Sequence, residues 1–498
     1  MPHHSLYEIN TRVWLGELSL QLGKQIDLSN IPESEISSIA DQGFNYLWML
    51  GVWQTGNIGR TISRSEDGWL KEYKHKLSDF SIRDVCGSPF AIQAYTVHKD
   101  FGGDTALEKC RKLLSKYNMK LILDFVPNHT AIDHPWVWSH SEYYIAGDRL
   151  DLVREPHNYI EVDTKLGKSV LAHGRDPYFP GWPDTLQLNY RDPGLRAAME
   201  NEIQKISSMC DGIRCDMAML LMPDIIQRTW GAKSIPRSPV KPLDQPFWPN
   251  IISSVKQKNA EFIFMAEVYW DLESALQDQG FDLTYDKRLY DRLKFKDCAG
   301  VRAHLTAPLN FQSRSVRFLE SHDEDRAAAA FPSELYKAAA VVTYTVPGLR
   351  FFHDGQLTGR KNRVAVHLSR RAKEDESSDI LDFYTALLKV ISSKTLLSGE
   401  WRMLECHRAW DHNPTSSHFL SWTWNLRDNT SPVLVVVNFS NAQAQCYIRL
   451  PEQLFRNTHL ELKDLIGPES YKREKEDLIT RGLYLDMPAF GYHVFQIS

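Results

Sequence analysis

Four short runs of apolar residues decide how this sequence is interpreted, because each one carries polar side chains at or near its end. They are LILDFVPNH (residues 121–129), GIRCD (212–216), FIFMAEVYW (262–270) and RFLESHDEDR (317–326). A run that is nearly continuous in apolar residues is typical of a parallel strand buried on both faces. Similar runs begin at Leu6, Phe44 and Gly348.

Segments with helical periodicity separate these runs up to about residue 390, for example residues 106–118, 195–210 and 333–346. A repeated strand–helix pattern predicts right-handed βα units, which form either a closed (β/α)8 TIM barrel or an open doubly wound sheet. No GxGxxG or GxxxxGK[ST] motif follows an early strand, which disfavours a dinucleotide-binding sheet. We therefore predict an α/β fold built on a (β/α)8 barrel.

Two regions depart from this pattern. Residues 131–186, after the third strand, are irregular and rich in aromatic, His and Pro residues, and a loop of that length is more often functional than structureless. From about residue 398 onward, short strand-like runs alternate with turn residues, which predicts an antiparallel β-sandwich. The predicted domains are a barrel formed by residues 1–130 and 187–397, an inserted B domain at 131–186 and a C-terminal sandwich at 398–498.

The composition restricts the classes of function. The chain has 498 residues, 43% hydrophobic and 24% charged, with a net charge of −5. This is an ordinary globular composition without the basic excess of nucleic-acid-binding domains, and it permits a neutral substrate. The seven cysteines show no CxxC spacing, the N-terminus does not resemble a signal peptide and no apolar run approaches 18 residues. We expect a cytoplasmic protein with no membrane or nucleic-acid partner, and its oligomeric state stays open.

The polar residues that follow the apolar runs predict a catalytic site. In a barrel of this type the catalytic groups lie at the carboxyl ends of the strands. Any one such residue is more often a cap or a surface pair, but four sets after four buried-type strands favour a common site. The residues are Asp124, Asn128, His129, Arg214, Asp216, Glu267, His322, Asp323 and Arg326.

The surroundings of the carboxylates suggest how they share the chemistry. Glu267 is flanked by apolar residues, and desolvation raises the pKa of a carboxyl group, as a general acid requires. Asp216 shares a strand face with Arg214, which favours the ionised form that a nucleophile needs. Two such groups are the minimum for hydrolysis of a glycosidic bond. Asp323 could bind sugar hydroxyls, and a histidine could donate hydrogen bonds to the same ring.

At these residues the sequence resembles the α-amylase superfamily, glycoside hydrolase family 13, whose four main sequence blocks occur here in the same order. A weaker fifth block lies at LQLN, residues 186–189. The resemblance implies a barrel with an inserted B domain, a C-terminal sandwich and retention of the α-configuration. It also implies that Asp216 is the nucleophile, Glu267 the acid/base and Asp323 the transition-state stabiliser. The predicted substrate-binding residues are Phe90, Asp124, His129, Arg214, His322 and Arg326.

Several departures from the family pattern bear on the substrate. Many α-amylases that cut long chains have a Lys-His pair shortly after the nucleophile, but here Met217 and three further apolar residues follow Asp216. This argues against a typical endo-acting, calcium-dependent enzyme. Asn128 matches a position that can bind calcium, but one amide is far short of six to eight oxygen ligands, so we prefer a hydrogen-bonding role and predict no cofactor or metal. Phe90 stands where relatives have a stacking Tyr, and Ala91 stands where exo-acting glucosidases often have an Asp.

The leading hypothesis is a retaining α-glycoside hydrolase that acts on a short α-glucoside or α-glucooligosaccharide. An α-glucosyl or maltosyl transferase or a phosphorylase is the alternative, because GSPFAI (residues 87–92) and DHPWV (133–137) resemble segments of glucan phosphate maltosyltransferases. A non-catalytic carbohydrate-binding relative is a third possibility, although the three carboxylates are all present. Arg370 and Arg371 either bind phosphate or belong to a solvated loop. Aromatic residues of the inserted segment either contact substrate or only pack as a lid.

Overall fold

The computed structural model describes residues 3–237, 241–455 and 457–498 of the chain. Eight parallel strands form a closed barrel in which sequential strands are neighbours, and the last strand pairs with the first through Leu6 and Phe351. The strands are β1 (Ser5–Asn10), β2 (Tyr46–Leu50), β3 (Lys120–Phe125), β4 (Gly212–Cys215), β5 (Ile263–Ala266), β6 (Leu283–Tyr285), β7 (Ser315–Arg317) and β8 (Leu349–His353). The predicted (β/α)8 barrel is confirmed, and the open sheet is excluded.

Burial explains why apolar runs revealed most of these strands. Every residue of β2 and of β8 is buried, so both faces of each strand are covered. The run that begins at Leu6 contains the end of a strand and the start of a helix. The strand ends at Asn10, whose side chain caps the helix by accepting a hydrogen bond from the Val13 N–H at 3.2 Å. β6 has only three residues and was not predicted from the sequence.

Helices surround the barrel and connect its strands. They are Thr11–Leu22, Glu33–Asp41, Gly103–Lys116, Pro193–Met209, Pro223–Trp230, Trp248–Lys258, Glu273–Asp278, Lys287–Lys294, Cys298–Leu305, Leu309–Ser313, Ala327–Ala330, Ser333–Thr345 and Ser378–Ile391. The three helical segments predicted from the sequence correspond to Gly103–Lys116, Pro193–Met209 and Ser333–Thr345. None of the helices in the described residue ranges is long and apolar enough to cross a membrane.

Two insertions rise above the carboxyl ends of the strands. After β3, the strand His129–Ala131 pairs with Thr185–Gln187, and Tyr159–Thr164 forms an antiparallel hairpin with Gly167–Ala172. These small sheets form the inserted domain that the sequence predicted; the domain boundaries at residues 130/131 and 186/187 stay a prediction. The second insertion follows β2 and was not predicted. It contains the paired strands Trp53–Thr55 and Ile92–Val97 and the helices Asn57–Ser63 and Asp67–Lys76.

The C-terminal region consists of two antiparallel sheets, as the sequence predicted. One sheet has the order Glu400–Met403, Phe419–Asn425, Val433–Asn438, Tyr492–Ile497, His459–Asp464, Ser470–Glu474, and the other the order Cys406–Arg408, Ala444–Ile448, Leu483–Met487. Val435 faces the barrel core, whereas Leu434 and Val436 pack against the second sheet. The indole N–H groups of Trp422 and Trp424 both donate to the Thr345 carbonyl, which fixes the larger sheet to the end of a barrel helix.

Candidate active site

The predicted carboxylates lie at one end of the barrel because parallel strands present their carboxyl ends to the same side. Asp124 is the penultimate residue of β3, Asp216 follows β4 directly and Glu267 follows β5 directly. Asp323 lies in the loop beyond β7. The strand register places Arg214 of β4 opposite Asp124, and this arginine is the point where the site converges.

Arg214 is completely buried and contacts three carboxylates. Its Nη1 lies 2.6 Å from Asp216 Oδ1, and its Nη2 lies 2.7 Å from Glu267 Oε2 and 4.0 Å from Asp323 Oδ2. Burial alone would lower the pKa of the guanidinium, but the charges of Glu267 and Asp216 raise that pKa well above its usual value. Arg214 Cζ also lies over the Phe90 ring, 5.4 Å from its centre. A permanent positive charge therefore holds the predicted nucleophile and the predicted acid together.

Glu267 has the environment of a general acid. Its Oε2 accepts a hydrogen bond from the Met217 N–H at 2.7 Å, and its Oε1 accepts one from the Tyr269 hydroxyl at 2.8 Å. Burial raises the pKa of Glu267 to about 7, with Asp216 and Asp323 adding to this effect and Arg214 opposing it. The carboxyl group is thus poised to hold a proton near neutral pH.

Met217 holds an unusual backbone conformation beside this acid. Its φ of 42° lies in the left-handed region, which non-glycine residues rarely adopt. The N–H of this residue, which comes immediately after Asp216, donates to Glu267. The turn after β4 therefore positions the nucleophile and the acid at the same time.

Asp323 is held by a chain of buried ionisable groups. His322 Nε2 lies 2.9 Å from Asp323 Oδ2, and His322 Nδ1 lies 2.5 Å from Oε1 of Glu8, a completely buried residue of β1. The other Glu8 oxygen lies 2.8 Å from His353 Nδ1. Burial would lower the pKa of His322, but Asp323 and Glu8 raise it well above its usual value. Partial burial opposes ionisation of Asp323, whose side chain is 44% exposed, yet the charge and hydrogen bond of His322 hold its pKa below the usual value.

Asp124 supports the floor of the site. It accepts hydrogen bonds from the Trp48 indole at 3.1 Å and from the Gly51 N–H at 2.8 Å. Burial raises its pKa to about 6, although the charge of Arg214 opposes that change. Because both oxygens of Asp124 are occupied by protein donors, the side chain stabilises the loop after β2.

A cavity of about 610 Å³ opens above these groups. Five of the predicted residues line it, namely Phe90, His129, Asp216, Glu267 and Asp323. Asp124, Arg214 and His322 are buried and do not line the cavity. Arg326 lies elsewhere: its Nη2 is 3.1 Å from Glu320 and donates to the Asp354 carbonyl at 2.9 Å, so it does not line the cavity.

The inserted domain supplies the opposite side of the cavity. Phe179 and Trp182 line it together with Asp176 and Asp184. The Trp182 ring also lies 5.0 Å from the ring of His129, whose pKa burial lowers to about 4. The alternative in which this segment contacts substrate is therefore consistent with its position above the carboxylates.

Asn128 and the fifth sequence block form a hydrogen-bonded pair. Gln187 Nε2 donates to Asn128 Oδ1 at 2.8 Å, and Asn128 Nδ2 donates to Gln187 Oε1 at 3.1 Å. The amide of Asn128 thus fixes the strand Thr185–Gln187 beside His129. These contacts match the hydrogen-bonding role predicted for Asn128.

Sequence reasoning missed several residues of this region, and four of them bear most on its chemistry and shape. Glu8 is a carboxylate inside an apolar run, which is the same signal that identified Glu267. Tyr269 follows Glu267 by two residues and offered no signal of its own. Trp69 and His367 line the cavity from the β2–β3 insertion and from the loop after β8, and only the fold brings them to the site.

Comparison with known proteins identifies the family. Residues 90–389, more than half of the chain, match the family described as "Alpha amylase, catalytic domain". An α-glucosidase of Culex pipiens is 23% identical over 413 residues, which cover 76% of this chain and 65% of that protein. The chain thus spans slightly less than two thirds of that relative.

Solved structures share the fold at low sequence identity. The noncanonic maltogenic α-amylase AmyB from Thermotoga neapolitana matches with a TM-score of 0.68 at 18% identity, over 99% of this chain and 98% of that one. An α-amylase of Geobacillus thermoleovorans, solved with acarbose, matches with a TM-score of 0.65 at 16% identity, over 100% and 98% of the two chains. From the family match over residues 90–389, the chain belongs to the α-amylase family, glycoside hydrolase family 13.

Proposed function

We propose that the protein is a retaining α-glycoside hydrolase that cleaves short α-glucosides or α-glucooligosaccharides through a covalent glycosyl-enzyme. Asp216 attacks the anomeric carbon while Glu267 gives its proton to the glycosidic oxygen, so that the aglycone leaves as an alcohol. Glu267, now ionised, then takes a proton from water, whose oxygen attacks the anomeric carbon and releases Asp216. Two inversions at one carbon retain the α-configuration.

One observation carries this proposal: a single buried guanidinium joins two carboxylates that have different tasks. Arg214 contacts both Asp216 and Glu267, yet burial keeps the pKa of Glu267 near 7. A nucleophile must be ionised and an acid protonated at the same pH, and two carboxyl groups in different environments can satisfy both needs. Asp323 lies at the rim of the same cluster, where its charge would stabilise the oxocarbenium-like transition state.

The size and lining of the cavity support a short substrate. Its volume of about 610 Å³ lies within the range of roughly 300–1,000 Å³ that is usual for sites of small ligands. Phe90, Phe179 and Trp182 offer apolar rings on which a sugar can stack. The names of the similar proteins, an α-glucosidase and two α-amylases, support an α-linked glucose unit in the substrate.

Phosphorolysis is disfavoured by the charge of the cavity. Five carboxylates line it, and among the residues the structure describes there, no Lys or Arg does. Arg370 pairs with Asp79 and Asp84, and Arg371 pairs with Glu17 and Asp354, so neither is directed to a phosphate in the cavity. These carboxylates would repel a phosphate dianion, and no lining cation would offset the repulsion. A neutral water molecule would not be repelled. Transfer to a sugar acceptor stays open as the alternative.

The test is a product-resolved screen of trehalose, sucrose, maltose, isomaltose, maltooligosaccharides and small glucosides, each with and without inorganic phosphate. We expect phosphate-independent release of sugar, with the α-anomer as the first product in NMR spectra. Turnover that requires phosphate would replace hydrolysis by phosphorolysis, and products longer than the substrate would favour transglycosylation. No turnover on any substrate would favour the non-catalytic alternative.

A further inference from the structure

The cavity has two unlike ends. One end lies beside Glu267, where Tyr269 lines the cavity and the neighbouring Trp270 contacts Tyr178 of the inserted domain, with ring centres 5.1 Å apart. Tyr178 is 60% exposed, so this end reaches the surface. The other end is lined by Trp69, Val366 and His367, which come from two segments outside the barrel.

These two segments form an end wall, defined here as the helix Asp67–Lys76 together with residues 363–372. The Trp69 and His367 rings stack with their centres 4.3 Å apart and their planes 28° from parallel. Behind them lies a small hydrophobic core that is separate from the barrel core. Its buried members are Tyr73, Leu77, Val85, Ala365 and Leu368.

Hydrogen bonds and an ion pair anchor residues 363–372 of the end wall to the neighbouring residues 84–86. The Cys86 N–H donates to the His367 carbonyl and the Ser369 N–H donates to the Asp84 carbonyl, both at 2.8 Å. Arg370 Nε lies 2.8 Å from Asp84 Oδ1. The wall therefore has its own core and its own polar contacts. These are features of a fixed part of the fold, and a loosely packed loop lacks them.

Arg363 joins the end wall to the catalytic loop. Its Nη1 donates to the Asp323 carbonyl at 3.2 Å, and its Nη2 lies 3.2 Å from Glu72 Oε1. The wall thus stands on the Asp323 side of the cavity. Glu267 and Tyr269 line the cavity toward the open end.

This asymmetry gives the substrate a direction. Under the proposed mechanism Glu267 must reach the glycosidic oxygen, so the leaving group lies toward the open end beside Tyr269. The sugar that Asp216 attacks then lies between Asp216 and Asp323, with the end wall beyond it. Further units on that side would continue toward the non-reducing end of the chain, and there the stacked rings of Trp69 and His367 occupy the space.

We propose, resting on the hydrolase function above, that the Trp69–His367 wall ends the glycone subsite and restricts the enzyme to cleavage from the non-reducing end of α-glucosides. Inner bonds of a long chain cannot reach Asp216, because the chain would have to pass through the wall. The wall, and not the apolar segment that follows Asp216, determines whether terminal or inner bonds are cleaved.

The test compares two maltooligosaccharides of equal length, one with a free non-reducing end and one with that end extended by a bulky chemical block. The readout is the ratio of kcat/KM for the blocked to the free substrate, which does not depend on the fraction of folded enzyme. Wild-type enzyme should hydrolyse the free substrate and leave the blocked one almost intact. Trp69→Ala and His367→Ala should each raise the ratio by about tenfold or more, since one apolar contact changes discrimination by that order.

Leu70→Ala is the matched control, because Leu70 follows Trp69 in the same helix and packs against the small core without lining the cavity. Its ratio should stay at the wild-type value even if the variant is less stable. Equal wild-type rates on both substrates, or unchanged ratios in both wall variants, would overturn the wall as specificity determinant. Absence of turnover on the free substrate and on the small glucosides would instead contradict the proposed function.

Discussion

Two fully buried arginines of the barrel show how similar residues can serve different purposes. Arg350 lies near the start of β8, and its guanidinium donates only to main-chain carbonyls among the partners described. The acceptors include Tyr344 at 2.8 Å, Ile391 at 2.9 Å and Leu396 at 2.8 Å, all in the last turns of helices. Arg350 therefore satisfies carbonyls that a helix cannot pair internally.

Arg214 lies near the opposite end of the barrel and contacts carboxylates. Burial lowers the pKa of Arg350 to about 9, whereas the carboxylates around Arg214 raise its pKa well above the usual value. Burial of a charge is therefore common to both places. At the catalytic end of the barrel, Arg214 contacts several carboxylates beside a cavity. At the opposite end, Arg350 donates to main-chain carbonyls and has a structural role.

The largest expected effect lies at the catalytic end. Asp216→Asn should lower kcat by about four to six orders of magnitude, because the neutral amide cannot attack the anomeric carbon. Steady-state kinetics on the best small glucoside would measure the loss, and thermal unfolding should show that the variant stays folded. Retained activity above one per cent of wild type would mean that Asp216 is not the nucleophile.

Arg350→Met should separate stability from catalysis. Four carbonyl contacts of Arg350 are lost, and unpaired buried carbonyls cost about 1–3 kcal/mol each, so we expect a loss of roughly 4 kcal/mol or more in chemical denaturation. The kcat of the remaining folded enzyme should stay within about twofold of wild type, since the methionine lies far from the cavity. A loss of kcat without a loss of stability would contradict the purely structural role assigned to Arg350.

Glu8→Gln tests the chain of groups behind Asp323. Loss of the Glu8 charge should let His322 release its proton more readily, which would misplace Asp323 and lower kcat/KM by about ten- to a hundredfold. The pKa of His322 is raised in wild type, so its charge is lost only as pH rises. The defect of the variant should therefore grow toward alkaline pH. A uniform defect across the pH profile would indicate a purely structural role.

The smallest expected effect concerns Tyr269. The pKa of Glu267 is raised to about 7, so the protonated acid is lost as pH rises through 7, and the alkaline limb of kcat/KM should lie near that value. Tyr269→Phe removes a donor that favours the ionised carboxylate. The limb should move upward by about half to one pH unit, since one hydrogen bond contributes on the order of 1 kcal/mol. A downward movement would contradict the assigned role of the hydroxyl.

Much of the fold could be predicted from the sequence because buried parallel strands leave continuous apolar runs. The runs around Asp124, Asp216 and Glu267 placed three strand ends correctly, and their order matched the family. β6 was missed because three residues are too few for a periodic signal. The β2–β3 insertion was missed because its helix Asp67–Lys76 is mostly polar and exposed.

Apart from Phe90, which the family resemblance supplied, the predicted residues that line the site beside the catalytic carboxylates follow barrel strands. Arg326 follows Asp323 closely in the sequence, yet it pairs with Glu320 and Asp354 behind the cavity, because the loop after β7 turns between them. Trp69 and His367 are nearly 300 residues apart, and no local pattern could bring them into contact. Which polar residues face a cavity depends on tertiary packing, which the strand pattern does not contain.

The most direct measurement of the central claim is to trap the glycosyl-enzyme. Glu267→Gln cannot activate water, but it does not need to protonate the leaving group of an α-glucosyl fluoride, so the intermediate should accumulate. Intact mass spectrometry should show the addition of one anhydroglucose unit, and peptide mapping should place it on Asp216. An adduct on another residue, or turnover without any adduct and with inversion at the anomeric carbon, would contradict the mechanism.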